Sequence, residues 1–145
     1  RPPPDREPVL RRSWEEVVAA LGRPERLVIG GKSMGGRIAS MVADGLGVAG
    51  LVCLGYPFHP PGKPEVLRVA HLETLRTPAL IVQGERDPMG ARAEVEGYRL
   101  SPAIRLHWLV DGDHSFKPRK ASGATLGGHL ADAGAAVTAF VRSLD

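Results

Sequence analysis

The sequence predicts an α/β protein: a mostly parallel sheet with helices on both faces. Two patterns predict it. Four short Leu-rich or β-branched runs, at residues 26–30, 50–54, 79–83 and 105–110, lack the polar alternation of a half-exposed strand, which suits strands covered on both sides. Stretches with apolar residues at spacings of three and four lie between them, so strands and helices alternate as in βαβ units.

The opening, Arg-Pro-Pro-Pro-Asp-Arg-Glu-Pro, lacks the apolar core of a signal peptide, and no apolar run approaches the roughly 18 residues of a membrane span. Residues 9–21 follow, with Val9, Leu10, Trp14, Val17, Val18 and Leu21 on one helical face and a stop at Gly22. Strand 26–30 leads into a helix at 34–46, and strand 50–54 into a loop rich in proline. Further helices are expected at 65–75 and 90–100. The last, at 124–144, aligns Leu126, Leu130, Ala133, Val137, Phe140, Val141 and Leu144.

With 145 residues, 43% of them apolar, the chain can bury one modest core, so residues 1–145 are expected to form a single domain. Position 1 is Arg rather than Met, which is expected of numbering that begins inside a longer chain. The net charge of +3 is scattered apart from Lys117, Arg119 and Lys120, and no basic stripe with interleaved aromatics marks a nucleic-acid surface. Cys53 is the only cysteine. It permits neither an internal disulfide nor a cysteine-based metal cluster, and it reads as a small buried residue. A soluble cytoplasmic protein without cofactor or metal, and without nucleic-acid or membrane partners, is the expectation.

In open parallel sheets, ligands sit beyond the carboxyl ends of the strands. Those ends are followed here by residues 31–36, 55–64, 84–88 and 111–116. The first contains Gly31-Lys32-Ser33-Met34-Gly35, a G-x-S-x-G pattern between strand and helix. Such a turn lifts a serine hydroxyl clear of the sheet, with glycines 31 and 35 expected to leave room. It also aims the backbone N–H of Met34 at a reacting carbonyl from a helix N-terminus. The bland alternative is a tight Gly-rich turn. Serine needs a base, and the base an orienting acid. His114 and Asp87 follow later strands in the order Ser, Asp, His. Asp87 can also be read as a helix cap before Pro88, and His114 as one of five histidines. Glu85, Asp111 and Asp113 compete for the acid role, with Asp113 second in rank.

Two other patterns carry nothing. A P-loop ending at Ser33 needs glycine where Arg26 stands, and the G-x-G-x-x-G of residues 45–50 follows a helix instead of a strand. Tyr56, Phe58 and His59 are expected as walls of an open, substrate-lining site, or else as part of a rigid surface loop. His71, His107 and His129 are assigned to packing or solvent.

The motifs GGKSMGG, GLVCLGYPFHPPGKPE, LIVQGERDP and DGDHSFKPRK together resemble the α/β-hydrolase family that includes testis-expressed protein 30 and subunit 3 of the nonspecific-lethal complex. Bacterial members are called dienelactone-hydrolase-like. The similarity covers residues 28–122. It implies an α/β-hydrolase fold and a serine esterase working through an acyl-enzyme, with the triad Ser33, Asp87 and His114 and a small-molecule acyl substrate. A catalytically inactive binding or scaffold module on the same fold is the rival reading. A separation of about 3.5 Å or less between Ser33 Oγ and a His114 ring nitrogen favours the enzyme. The resemblance further implies N-terminal strands that have no match here, along with the loop that donates a second oxyanion N–H. The first strand then has a free edge through which the chain is expected to self-associate.

Overall fold

A computed structural model describes residues 5–145. Four strands, β1 (Val28–Lys32), β2 (Gly50–Leu54), β3 (Ala79–Gly84) and β4 (Ile104–Leu109), pair in sequence order and all in parallel. Because side chains alternate across a strand, each strand feeds two cores. Leu51, Cys53, Ala79 and Ile81 pack under α1 (Glu7–Leu21) and α2 (Met34–Leu46), with Val18, Ala39 and Val42. Leu80 and Val82 pack on the other face with Ala133 and Phe140 of α4 (Leu126–Arg142). This two-sided cover is why the strand runs show no polar alternation.

The helix ends follow local chemistry. Pro8 stands in the first turn of α1, where its missing N–H costs nothing, and Gly22 ends the helix at φ 67°. Gly47 ends α2 in the left-handed region. The Thr125 hydroxyl accepts the Gly128 N–H at 3.0 Å, so α4 begins at Leu126, two residues later than the apolar pattern suggests.

Three expectations need correction. β1 begins at Val28, because Pro24–Arg26 form a 3-10 turn that takes the preceding backbone out of the ladder. Residues 65–75 form no α-helix beyond a 3-10 turn at Ala70–Leu72. Tertiary hydrogen bonds claim the backbone there, with Arg68 N–H donating to the Phe58 carbonyl and Tyr56 Oη to that of Arg68. Leu72 and Leu75 still plug the core. Of residues 90–100, only α3 (Arg92–Val95) is helical. Gly97 is a poor helix former, and the chain beyond it turns back so that Ser101 N–H can donate to the Leu72 carbonyl.

Candidate active site

β1 runs directly into α2, and Ser33 is the joint. Its backbone sits at φ 51°, ψ −120°, a region costing a non-glycine residue about 1–3 kcal/mol. Neighbouring backbone holds it there: Ser33 N–H donates to the Leu54 carbonyl at 2.8 Å. Close packing explains two of the glycines. A Cβ on Gly31 would stand 2.9 Å from the Gly35 carbonyl carbon, and one on Gly36 2.6 Å from the Gly31 oxygen. A Cβ on Gly35 would point into open space, so the glycines that this close packing requires are 31 and 36, not 35. As the first residue of α2, Met34 presents an N–H that no carbonyl of the helix can accept.

Asp87 and His114 arrive from the next loops. Asp87 is fully buried below the end of β3, where its Oδ1 accepts the Met89 N–H at 2.8 Å. His114 sits on a turn whose Asp113 carboxylate accepts the N–H groups of Ser115 and Lys117 at 2.8 and 2.9 Å. That turn packs on Gly55, where a Cβ would lie 2.9 Å from the His114 carbonyl oxygen, and on Gly84. The three side chains meet in one line. His114 Nδ1 lies 2.7 Å from Asp87 Oδ2, and His114 Nε2 lies 2.9 Å from Ser33 Oγ. With Nδ1–H directed to the carboxylate, Nε2 is left to accept the serine proton.

The competing carboxylates are engaged elsewhere. Asp113 caps its own turn. Asp111 binds Arg119 and Arg86, and the hydrogen bonds from Arg119 pull its carboxyl down to about 2. Glu85 binds the Asp111 N–H and Arg92.

A second serine–histidine contact exists, Ser40 Oγ to His71 Nε2 at 2.8 Å. Ser40 is buried within α2, its hydroxyl donates to the Arg37 carbonyl, and no described carboxylate bonds the ring. Burial first, then the charges of Arg37 and Arg11, hold His71 below its ordinary value, so it is a neutral packing group. His107 pairs with Asp132, and His129 Nε2 donates to the Val110 carbonyl. Cys53 is buried, and burial pushes its thiol up to about 12.

The expected walls are not walls. Tyr56, Phe58 and His59 are all buried, because His59 N–H donates to the Met89 carbonyl and draws this loop down into the core. Tyr56 and Phe58 stack with ring centroids 4.7 Å apart. His59 directs Nδ1 to the Pro60 carbonyl at 2.8 Å and Nε2 to Glu94 at 3.0 Å. Burial opposes its charge, but these two acceptors prevail and raise it above its ordinary value. An apolar trough lined by Leu10, Trp14, Val17, Met34, Gly35 and Ile38 opens beside Met34 instead.

Sequence reading missed one residue of this site. Gln83 is fully buried at the end of β3 and donates from Nε2 to Asp87 Oδ2 at 3.1 Å. Its signal was a lone amide closing the apolar run Ala79-Leu80-Ile81-Val82. No His, Cys, Asp and Glu cluster among the described residues could hold a metal ion, and no described helix is long and apolar enough to cross a membrane.

Residues 1–142 match the family model described as an alpha/beta hydrolase domain. Among solved structures, the chain is similar to an alpha-beta serine hydrolase homologue from Coxiella burnetii, with TM-score 0.69 and 19% identity over 100% of this chain and 63% of that one. It is also similar to the esterase domain of a Rhodothermus marinus protein, with TM-score 0.61 and 17% identity over 94% and 68%. A protein from Thermoplasma acidophilum described as a predicted CIB-like hydrolase gives TM-score 0.57 and 21% identity over 75% and 51%. At these identities the likeness is one of fold, and the chain spans 63% of the length of the Coxiella protein. With its parallel sheet, its helices on both faces and that match over residues 1–142, the chain belongs to the alpha/beta hydrolase domain family.

Proposed function

We propose that this chain carries the catalytic residues of a serine hydrolase of carboxylesterase type, acting on a small or medium acyl substrate. One observation carries the reading: the unbroken hydrogen-bond line from Ser33 Oγ through His114 to a buried Asp87, at 2.9 and 2.7 Å. In the proposed reaction, Ser33 Oγ attacks the ester carbonyl carbon while its proton passes to His114 Nε2. The bond to the leaving alkoxide breaks as His114 returns that proton to it, leaving an acyl-enzyme. Water then attacks, giving its proton to His114, and the Ser33–acyl bond breaks to release the acid as that proton returns to Oγ. Asp87 orients the ring and stabilises its charge. Met34 N–H supplies one oxyanion donor. A second donor is worth on the order of a hundredfold to a thousandfold in rate.

The motif resemblance supports placing the protein with the dienelactone-hydrolase-like group. A serine in the nucleophile position favours esters or related acyl compounds. The proposal includes a cytoplasmic location, which cell fractionation tests.

The test is labelling with a fluorophosphonate probe, comparing this chain with a version extended upstream and locating the modified residue by mass spectrometry. Labelling at Ser33 that vanishes in His114→Ala is the expected result. Labelling of the extended version alone means that upstream residues complete the site. If neither version labels, the enzyme reading fails and the scaffold reading replaces it.

A further inference from the structure

Gln83 is a polar side chain with no accessible surface in the central strand β3, whose other residues are apolar apart from its closing glycine. A buried amide costs stability unless every polar atom finds a partner, and this one does. Oε1 accepts the Tyr56 N–H at 2.8 Å, while Nε2 faces the carbonyls of Tyr56 and Gly90 and the Asp87 Oδ2, each at 3.1 Å. The Tyr56 N–H requires an acceptor, so the amide has one orientation, and that orientation aims N–H at the aspartate.

Asp87 Oδ2 therefore accepts two donors, His114 Nδ1 and Gln83 Nε2, while Oδ1 accepts the Met89 N–H. The Gln83 bond partly neutralises the oxygen that faces the imidazole and fixes its direction. The same amide ties the loop after β2, through Tyr56, to the loop that carries Asp87, through Gly90. His59 also feels the charge of Asp87, but its ring points to Glu94 and the Pro60 carbonyl.

We propose that Gln83 is a positioning residue: through Asp87 it aims the carboxylate at His114 and limits how strongly that carboxylate holds a proton on the ring. The inference rests on the triad reading for its importance in catalysis, but the charge network it describes can be measured without turnover.

The experiment compares full-length protein with its Gln83→Leu and Gln83→Glu variants by two readouts. The first is the pH titration of the His114 ring in NMR spectra. The second is hydrolysis of p-nitrophenyl acetate across pH. Gln83→Leu removes the donor, so the ring's titration midpoint and the acid limb of kcat/KM both move to higher pH. kcat falls on the order of tenfold with KM unmoved. Gln83→Glu preserves shape and the acceptor for Tyr56, and its ionised form adds negative charge beside Asp87. It moves both midpoints further in the same direction. It also serves if the leucine variant fails to fold.

A merely structural loss would let Asp87 drift from the ring and lower the midpoint. A lowered or unchanged midpoint in a folded variant therefore overturns the proposal. If the ring titration rises as expected while wild-type protein neither hydrolyses the ester nor labels at Ser33, the hydrolase reading fails and the positioning of Asp87 by Gln83 stands.

Discussion

The loops beyond β3 and β4 and the outer side of β1 are built to opposite standards. Around Asp87, each polar atom of the buried amide and carboxylate has a partner, and glycines at 55 and 84 allow backbones to touch. On the outer side, β1 ends the sheet with no further strand among the described residues, and Val28 remains 38% exposed. Between α1 and α2, the apolar trough beside Met34 leaves Val17 51% exposed. The groups that would move a proton are thus held entirely by this chain. The solved Coxiella structure of the same fold carries additional chain, and this one spans 63% of its length. Local completeness of a site and completeness of a sheet are separate properties.

The largest effect that could break this comparison is on turnover. If the line of hydrogen bonds is catalytic, Ser33→Ala lowers p-nitrophenyl acetate hydrolysis by the full-length protein on the order of 10⁴-fold, with Tm little changed. An unchanged rate would sink the proposed function.

Stability sharpens the contrast next. Leu51 of β2 is 1% exposed in the core under α1 and α2, so Leu51→Ala should cost about 2–5 kcal/mol in urea unfolding. Val17→Ala, in the half-open trough, should stay within about 0.5 kcal/mol. Equal costs would mean that the trough is covered in solution.

Two histidines should respond to pH in opposite senses. His59 is raised above 6.5 in the folded protein, so its pairing with Glu94 contributes fully below 6.5 and is lost as pH rises through the folded value. His71 is lowered, so its contribution is present above 6.5 and is lost as pH falls through the folded value. The Tm gap between wild type and His59→Gln should shrink on raising pH, and that for His71→Gln on lowering it. Parallel trends for both would contradict these assignments.

The smallest effect concerns the edge of β1. Weak, concentration-dependent self-association of this chain is expected in sedimentation, reduced by Val28→Lys, which places a charge where another strand would pair. A monodisperse species unaffected by concentration would count against it.

Much of this architecture was legible because its signals are local. The G-x-S-x-G turn could be located from Gly31 and Ser33, since strand and helix periodicities flank it on both sides. Asp87 and His114 could be shortlisted because parallel strands deliver all their following loops to one end of the sheet. The apolar spacing of 65–75 misled, because Phe58 and Tyr56 compete for its backbone from another loop. Tyr56, Phe58 and His59 looked like site walls only while the pull of Met89 on His59 was unknown.

By itself, then, the sequence determined the alternation of strands and helices, the strained turn at Ser33 and the shortlist of acids and bases. Each depends on residues within one or two turns of one another. Tertiary structure alone decided which carboxylate meets His114, which rings are buried and where the amide of Gln83 points. Those outcomes depend on hydrogen bonds between groups far apart in the chain, such as Ser33 and His114 or Tyr56 and Gln83. Such partners become neighbours only after the two cores have closed on the sheet.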